Sequence, residues 1–329
     1  MAIPPPFRLA RPPVAERLAD RLRSALGRRP GKTFILGVGA QKAGTSWMFR
    51  YLKRHPDCAM GLIKEHMVFN AIPGQPDWAG FSRPKLLKLR DELDRQIAAL
   101  DTPEADAAPP DSAQLLALLD EVAIERAAEA RYVQHFDRLL AARPEAWLTG
   151  DISPAYGMLD AAAFARIRDL LHAGGYRLRV VFLMRDPVER CYSMVRMADR
   201  NAQLQGRTLA RPAHLRFADE AVAPWCEART RYDQTIAALE SVFAPHELFV
   251  RFYESFITEQ GVADLTRFLG IRPVPPLLAH RENVSPRQDE PPPEAIARVR
   301  AHYAPVYDFC IERFGLDAVR ANWPHAVAR

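Results

Sequence analysis

Residues 34–47, FILGVGAQKAGTSW, constrain the fold most, because an apolar run ends in a glycine-bracketed turn that opens a helix. Gly39 and Gly44 stand at the G-x-x-x-x-G spacing of a phosphate-binding loop, where glycines let the backbone curl and aim its N–H groups at an anion. The spacing predicts strand, loop and helix in that order. Gln41, Lys42 and Ala43 lie inside the loop, and Thr45, Ser46 and Trp47 begin the helix. Nucleotide-hydrolysing loops place lysine directly after the second glycine, but here Thr45 fills that place and Lys42 is the loop's one lysine. The Gly-Lys-Ser/Thr couple that serves magnesium-assisted triphosphate chemistry is therefore missing.

A second junction lies at 178–196, LRVVFLMRDPVERCYSMVR. Arg185 falls at the carboxyl end of a buried-looking strand, where ligands of open parallel sheets bind, and its planar fork suits a phosphate. With Pro187 near the first helical position, residues 189/190, 193 and 196/197 share a face, so Ser193 looks back toward the strand end.

Together these motifs resemble the sulfotransferases that use 3′-phosphoadenosine 5′-phosphosulfate (PAPS). The loop around Lys42 is similar to that family's 5′-phosphosulfate loop, and strand-Arg-Asp-Pro-x-x-Arg-x-x-Ser is similar to its 3′-phosphate site. The resemblance implies an α/β fold of P-loop type, a central parallel sheet flanked by helices, here with a helical insertion. It implies PAPS as donor and no metal requirement. Gly39, Gln41, Lys42, Ala43, Gly44, Thr45, Ser46 and Trp47 would serve the 5′ side and Arg185 with Ser193 the 3′ side. Lys42 would also act in catalysis.

Residues 62–70, LIKEHMVFN, follow a short apolar stretch read as a strand whose end opens beside Lys42. They resemble the Lys-Glu-Pro-His-Phe-Phe region of carbohydrate sulfotransferases related to the heparan-modifying enzymes, in which the glutamate is the proposed base. Lys64, Glu65 and Phe69 match, while His66 and Met67 replace proline and histidine. Glu65 is the expected general base. His66 is the rival, since sulfotransferases of the small-phenol type use histidine, and neighbours in a strand point to opposite faces. Lys64 and His66 are substrate-side candidates.

WLTGDISPAYGML, residues 147–159, resembles the Gly-Glu/Asp-x-Ser/Thr-Pro-x-Tyr turn of bacterial members, with Asp151 and Ser153 expected to face the cleft; capping the turn is the alternative role for each. Asp160 reads as a helix start and Gly174–Gly175 as its stop. Residues 229–243 read as a helix and ELFVRFYESF as a strand running into a helical turn, with Glu254 bracing and Tyr232 lining the cleft. In HRENVSPRQDEPPP, residues 280–293, relatives carry a basic loop over the nucleotide, which makes Arg281 and Arg287 candidates; a final helix is expected at 294–314.

The domain organisation read here is an N-terminal extension over 1–31 and one sulfotransferase domain over 32–329, long enough to bury a substantial core. Periodic stretches around a Pro/Ala/Asp-rich linker read as a helical insertion at about 83–145. Val14, Leu18, Leu22 and Leu26 would make a short amphipathic helix that docks on the core or adheres weakly to anionic lipid. No apolar run is long enough for a signal peptide or membrane span, and the reading is a bacterial, cytoplasmic enzyme.

Four cysteines without C-x-x-C pairing and nine scattered histidines give no metal-ligand or disulfide pattern. A net charge of +5 suits an anionic donor, and the dispersed arginines carry no nucleic-acid-binding signature. The acceptor implied by the resemblance is a small molecule or carbohydrate bearing a hydroxyl or amine, with carbohydrate or glycolipid the favoured class. The alternatives are a P-loop nucleotide or small-molecule kinase and a non-catalytic nucleotide-binding protein on the same fold.

Overall fold

The computed structural model describes residues 10–18, 30–70, 129–204, 206, 208–279 and 289–326. Four parallel strands form the sheet: β1 (Thr33–Gly39), β2 (Leu148–Ile152), β3 (Arg177–Met184) and β4 (Leu248–Phe252), in the order β2-β1-β3-β4. β1 and β2 are buried along their whole length, and in β3 only Arg177 is partly exposed. Such continuous apolar runs, rather than alternating ones, are what a sheet covered on both faces requires.

The order places the site. From β1 the chain goes outward to β2, then returns across β1 to β3, so the connections leave β1 and β3 in opposite directions. That reversal opens a crevice at the carboxyl ends of β1 and β3, the place where open α/β sheets bind ligands. The loop around Lys42 leaves β1 there, and Arg185 directly follows β3.

Helices α1 (Thr45–Arg54), α2 (Glu129–Ala142), α3 (Ala161–Ala173), α4 (Pro187–Leu204), α5 (Ala213–Ala221) and α6 (Tyr232–Val242) flank the sheet. α7 (Glu259–Leu269), α8 (Pro293–His302), α9 (Ala304–Phe314) and α10 (Leu316–Asn322) follow β4. α3 starts and stops where its signals stand: Asp160 Oδ1 accepts the Ala163 N–H at 2.8 Å, and Gly175 takes φ +76°. In α2, Tyr132 and Phe136 pack their rings against Phe34 of β1, so this helix belongs to the core. Residues 71–128, with most of the expected insertion, lie outside the described residues.

Three sequence expectations change. Residues before Glu65 form no strand: a single parallel bridge joins Cys58 to Leu148, and further on the Ile152 N–H donates to the Lys64 carbonyl at 3.1 Å. The helix expected over 229–243 begins at Tyr232, after a separate turn at Pro224–Glu227. The single late helix is two, α8 and α9, divided at Tyr303 with Pro305 in the first turn of α9.

Residues 14–18 are helical, and Glu16 meets Arg179 at 2.7 Å and Arg177 at 3.3 Å, while Val14 and Leu18 are exposed. Residues 10–18 therefore dock through charge, while Leu22 and Leu26 of the expected apolar face lie outside the described residues. Among the described residues no helix is long and apolar enough to cross a membrane.

Candidate active site

Gly44, at φ +82°, caps α1, and a Cβ there would stand 2.8 Å from the Tyr253 ring, so both the backbone angle and the space demand glycine. It offers no side chain to cap the helix, which leaves the first-turn N–H groups of Thr45, Ser46 and Trp47 for an anion. Lys42 takes φ +71°, a conformation few non-glycine residues adopt, inside the tight turn. Gln41 Oε1 is buried without a hydrogen-bond partner among the described residues. Ala43 is fully buried, and Trp47 is used in packing, stacked on Tyr51 at 5.8 Å with its edge contact to Phe256 at 6.0 Å.

Arg185 reaches back to the loop. Its Nη1 donates to the Lys42 carbonyl at 3.3 Å, its Nη2 meets Glu189 at 3.2 Å, and its guanidinium lies 5.2 Å from the Tyr253 ring centroid. Its own carbonyl accepts from the Tyr232 hydroxyl at 2.9 Å, so fully buried Tyr232 braces the clamp and does not line the cleft. Asp186 makes no pair with Arg185. It caps α4 by accepting from the Val188 and Glu189 N–H groups, and it takes the Tyr307 hydroxyl at 2.9 Å. Glu254 Oε1 accepts the Asp186 N–H at 3.3 Å, the bracing expected of it, and burial pushes its carboxyl up to about 7.

Lys64 joins the loop to Glu65. Its Nζ lies 2.5 Å from Glu65 Oε1, 3.0 Å from Ser46 Oγ and 3.4 Å from Thr45 Oγ1. Glu65 keeps a quarter of its side chain exposed. His66 goes the other way: it is buried, its ring 5.4 Å from those of His135 and Phe136.

Asp151 and Ser153 do not face the cleft as expected; both are fully buried. Asp151 Oδ1 accepts from Ser153 Oγ at 2.6 Å and from the His66 N–H at 3.4 Å, and Oδ2 accepts from Tyr156 at 2.7 Å and Tyr132 at 3.0 Å. The Met67 N–H in turn donates to Ser153 Oγ at 3.2 Å. The pair thus anchors the segment that carries Lys64 and Glu65. A charge this deep is disfavoured, and burial raises Asp151 to about 6 despite those four donors.

Positive charge gathers at Lys42. Its ammonium is lowered to about 8, first by burial and then by the charges of Arg200, Arg185, Arg196 and Lys64. Arg196 and Arg200 were not among the residues the motif singles out. They lie three and seven positions after Ser193, so helical spacing alone puts them on the same stripe of α4. Ser193 is buried on that stripe. Arg281 and Arg287 fall outside the described residues. Among the described residues no cluster of three or more His, Cys, Asp or Glu side chains is placed to hold a metal.

A glycine loop at a helix N-terminus, a strand-end arginine tied to it and a gathering of cations come together at the switch point of a parallel sheet, a P-loop-like arrangement. The sequence from 34 to 276 matches the model of the sulfotransferase family. The chain belongs to that family and is a sulfotransferase. Among solved structures it is similar to a sulfotransferase from Alicyclobacillus acidocaldarius, at 19% identity over 86% of this chain and 95% of that one, with a TM-score of 0.49. It is also similar to the sulfotransferase domain from the curacin biosynthetic pathway, at 17% identity over 79% and 82% of the two chains, with a TM-score of 0.37. No curated protein matches the sequence.

Proposed function

We propose that this sulfotransferase moves a sulfuryl group from PAPS to a hydroxyl or amine of an acceptor, with carbohydrate or glycolipid the favoured class, and releases 3′-phosphoadenosine 5′-phosphate. The observation that carries the reading is the crowding of Lys42 by Arg200, Arg185, Arg196 and Lys64 at an uncapped helix N-terminus. Like charges so placed raise one another's energy, and a polyanion relieves it. A donor phosphorylated at both 3′ and 5′ positions fits two such sites joined by one hydrogen bond, Arg185 to the Lys42 carbonyl.

In this reading the loop N–H groups, Thr45 and Ser46 hold the 5′-phosphate, and Arg185 with Ser193 holds the 3′-phosphate. Lys42 stabilises the charge that grows on the departing phosphate oxygen. Glu65 takes the acceptor's proton, because it is the partly exposed carboxylate beside the loop while His66 is packed away. Lys64 holds that carboxylate against the loop hydroxyls, where a P-loop kinase needs room for magnesium on its Ser/Thr oxygen.

Thermal unfolding tests the donor. At about 100 times its dissociation constant, a ligand specific for the folded state adds roughly 2.7 kcal/mol. 3′-Phosphoadenosine 5′-phosphate should raise the melting temperature without metal. Stabilisation by ATP with magnesium and not by this nucleotide would overturn the reading. Labelled sulfate transfer from PAPS into glycans, glycolipids and small alcohols then identifies the acceptor.

A further inference from the structure

Cys191 on α4 and Cys226 in the Pro224–Glu227 turn are 35 residues apart in sequence, yet their sulfurs lie 3.5 Å apart in the interior. All four cysteines of the chain are free and buried, so burial does not set these two apart. Arg190 does. It is fully buried, and its guanidinium donates to the Cys226 sulfur at 2.9 Å, the Cys191 sulfur at 3.2 Å, the Cys226 carbonyl at 3.2 Å and the Met194 sulfur at 3.6 Å. No carboxylate among the described residues pairs with it, and its Nε is buried without a hydrogen-bond partner.

A guanidinium withdrawn from water needs an anion beside it, and here the sulfurs are the groups placed to supply one. A neutral thiol is a weak acceptor, whereas a thiolate makes a charge-assisted bond. One proton shared by the two sulfurs leaves one negative charge against Arg190. Burial alone would raise the Cys191 thiol, but the hydrogen bond from Cys226 and the Arg190 charge outweigh it and hold Cys191 below the usual thiol range. Burial and the bond to Cys191 push Cys226 up, so the proton stays there. Cys58 and Cys310 have no guanidinium on their sulfurs among the described residues, and burial pushes both thiols up.

We infer that Cys191 and Cys226, held by Arg190, form a redox-active dithiol that a hydroperoxide oxidises to a disulfide, and that this oxidation weakens nucleotide binding. The Cys191 thiolate attacks one peroxide oxygen, the O–O bond breaks, and the departing hydroxide takes a proton from solvent to become water. Cys226 then attacks the sulfenic sulfur: an S–S bond forms, the S–O bond breaks, and the hydroxyl leaves as water with the Cys226 proton. The two sulfurs lose two electrons, and the peroxide gains them. Hydrogen peroxide is little larger than water, so local opening of the packed site admits it. The Arg190 charge favours the anionic reduced pair, so a small dithiol reopens the disulfide readily.

The link to binding runs through two elements. Closing the gap from 3.5 Å to a bonded distance of about 2 Å draws the Pro224–Glu227 turn toward α4 and strips Arg190 of its counter-charge. Ser193 stands two positions beyond Cys191 on α4. On the other side the turn runs through Thr230, 3.7 Å from the Cys191 sulfur, to Tyr232, whose hydroxyl holds the Arg185 carbonyl. Both halves of the proposed 3′-phosphate clamp therefore sit on the parts that move. This half of the inference rests on the donor reading above.

The test treats the full chain with hydrogen peroxide at neutral pH, alkylates the remaining thiols after unfolding, and maps the peptides by mass spectrometry. A cross-link joining Cys191 to Cys226 should form at least about 10-fold faster than Cys58 or Cys310 is oxidised, since each pKa unit changes the thiolate fraction about tenfold. In Cys226→Ser the reaction should stop at a sulfenic acid on Cys191, trapped by dimedone. Cys191→Ser should remove the thiolate ultraviolet absorbance that wild type shows at neutral pH. Calorimetry with 3′-phosphoadenosine 5′-phosphate should give an affinity at least about 5-fold weaker for the oxidised chain, restored by dithiothreitol, the lower end of usual coupling between sites. Absence of the cross-link, or oxidation of Cys58 and Cys310 at the same pace, overturns the dithiol. A cross-link that leaves nucleotide affinity unchanged overturns the control of binding. If the reduced wild type binds no nucleotide, the donor reading fails instead, and the cross-link mapping still decides the dithiol.

Discussion

Arg185 Nη1 donates to the carbonyl of Lys42 at 3.3 Å, so the clamp at the end of β3 and the loop at the end of β1 are one piece. The Tyr232 hydroxyl holds the Arg185 backbone from below, and Glu189 steadies its side chain. An arginine restrained at three points before any ligand arrives loses little freedom on binding, which is how preorganisation raises affinity. The same bond means that removing the side chain would disturb the loop as well as the proposed 3′-phosphate contact.

Arg185→Ala should therefore weaken 3′-phosphoadenosine 5′-phosphate binding by about 10- to 150-fold, the range for one charge-assisted contact of roughly 1.5–3 kcal/mol. Ser193→Ala should act in the same direction and more mildly. Both variants should discriminate poorly between this nucleotide and AMP, measured by calorimetry. Retained discrimination would move the 3′-phosphate site elsewhere.

Lys42 predicts a pH signature. Its ammonium is lowered from 10.5 to about 8 by burial and four neighbouring cations, so the unliganded site releases its proton early. Between those values the unfolded chain binds the proton that the folded chain has lost, and this group's contribution to stability rises with pH through that window. Nucleotide binding has the opposite sign, because a bound anion favours the ammonium. Affinity should fall as pH rises through about 8, and binding at that pH should take up protons, seen as a buffer-dependent heat. Lys42→Met should abolish the uptake as well as weaken binding.

Much of this arrangement is legible in the sequence, for physical reasons. The strands β1 and β3 read clearly because a doubly covered sheet needs unbroken apolar runs, and the turn between β1 and α1 reads clearly because only glycine tolerates the geometry at Gly44. Asp151 and Ser153 misled because a polar pair after glycine reads as an exposed turn. Their partners Tyr132 and His66 come from other elements, and such long-range satisfaction leaves no local mark. The segment before Glu65 misleads because an apolar run reads as a strand, although one bridge and scattered hydrogen bonds suffice to hold it. Arg196 and Arg200 escaped because the motif stops at Ser193, although the helical spacing beyond it carried the signal.

The Asp151 hub should be structural first and functional through Glu65. Asp151→Ala strands the Tyr132, Tyr156 and Ser153 hydroxyls in the interior, at a cost of at least about 2 kcal/mol. The wild-type carboxyl is raised from 3.8 to about 6, so the folded state holds a proton in that window that the unfolded state has lost. Its contribution to stability therefore rises as pH falls from about 6 toward 3.8, and the gap between wild type and variant should widen over the same range. Chemical denaturation at several pH values measures this. A gap that narrows on acidification contradicts the assignment.

Glu65 and His66 separate on two readouts. Glu65→Gln keeps the shape and removes proton acceptance, so sulfuryl transfer should drop about 10²- to 10⁴-fold with nucleotide affinity near wild type. His66 is buried with its ring against His135 and Phe136, so His66→Ala empties a packed position. It should cost about 1–3 kcal/mol of stability, the usual range for a buried truncation, while the fraction that remains folded keeps most of its turnover. Transfer rates normalised to folded protein and measured beside melting curves distinguish the two. A stable but inactive His66→Ala, alongside an active Glu65→Gln, would reverse the roles and direct the acceptor search toward small phenols and alcohols.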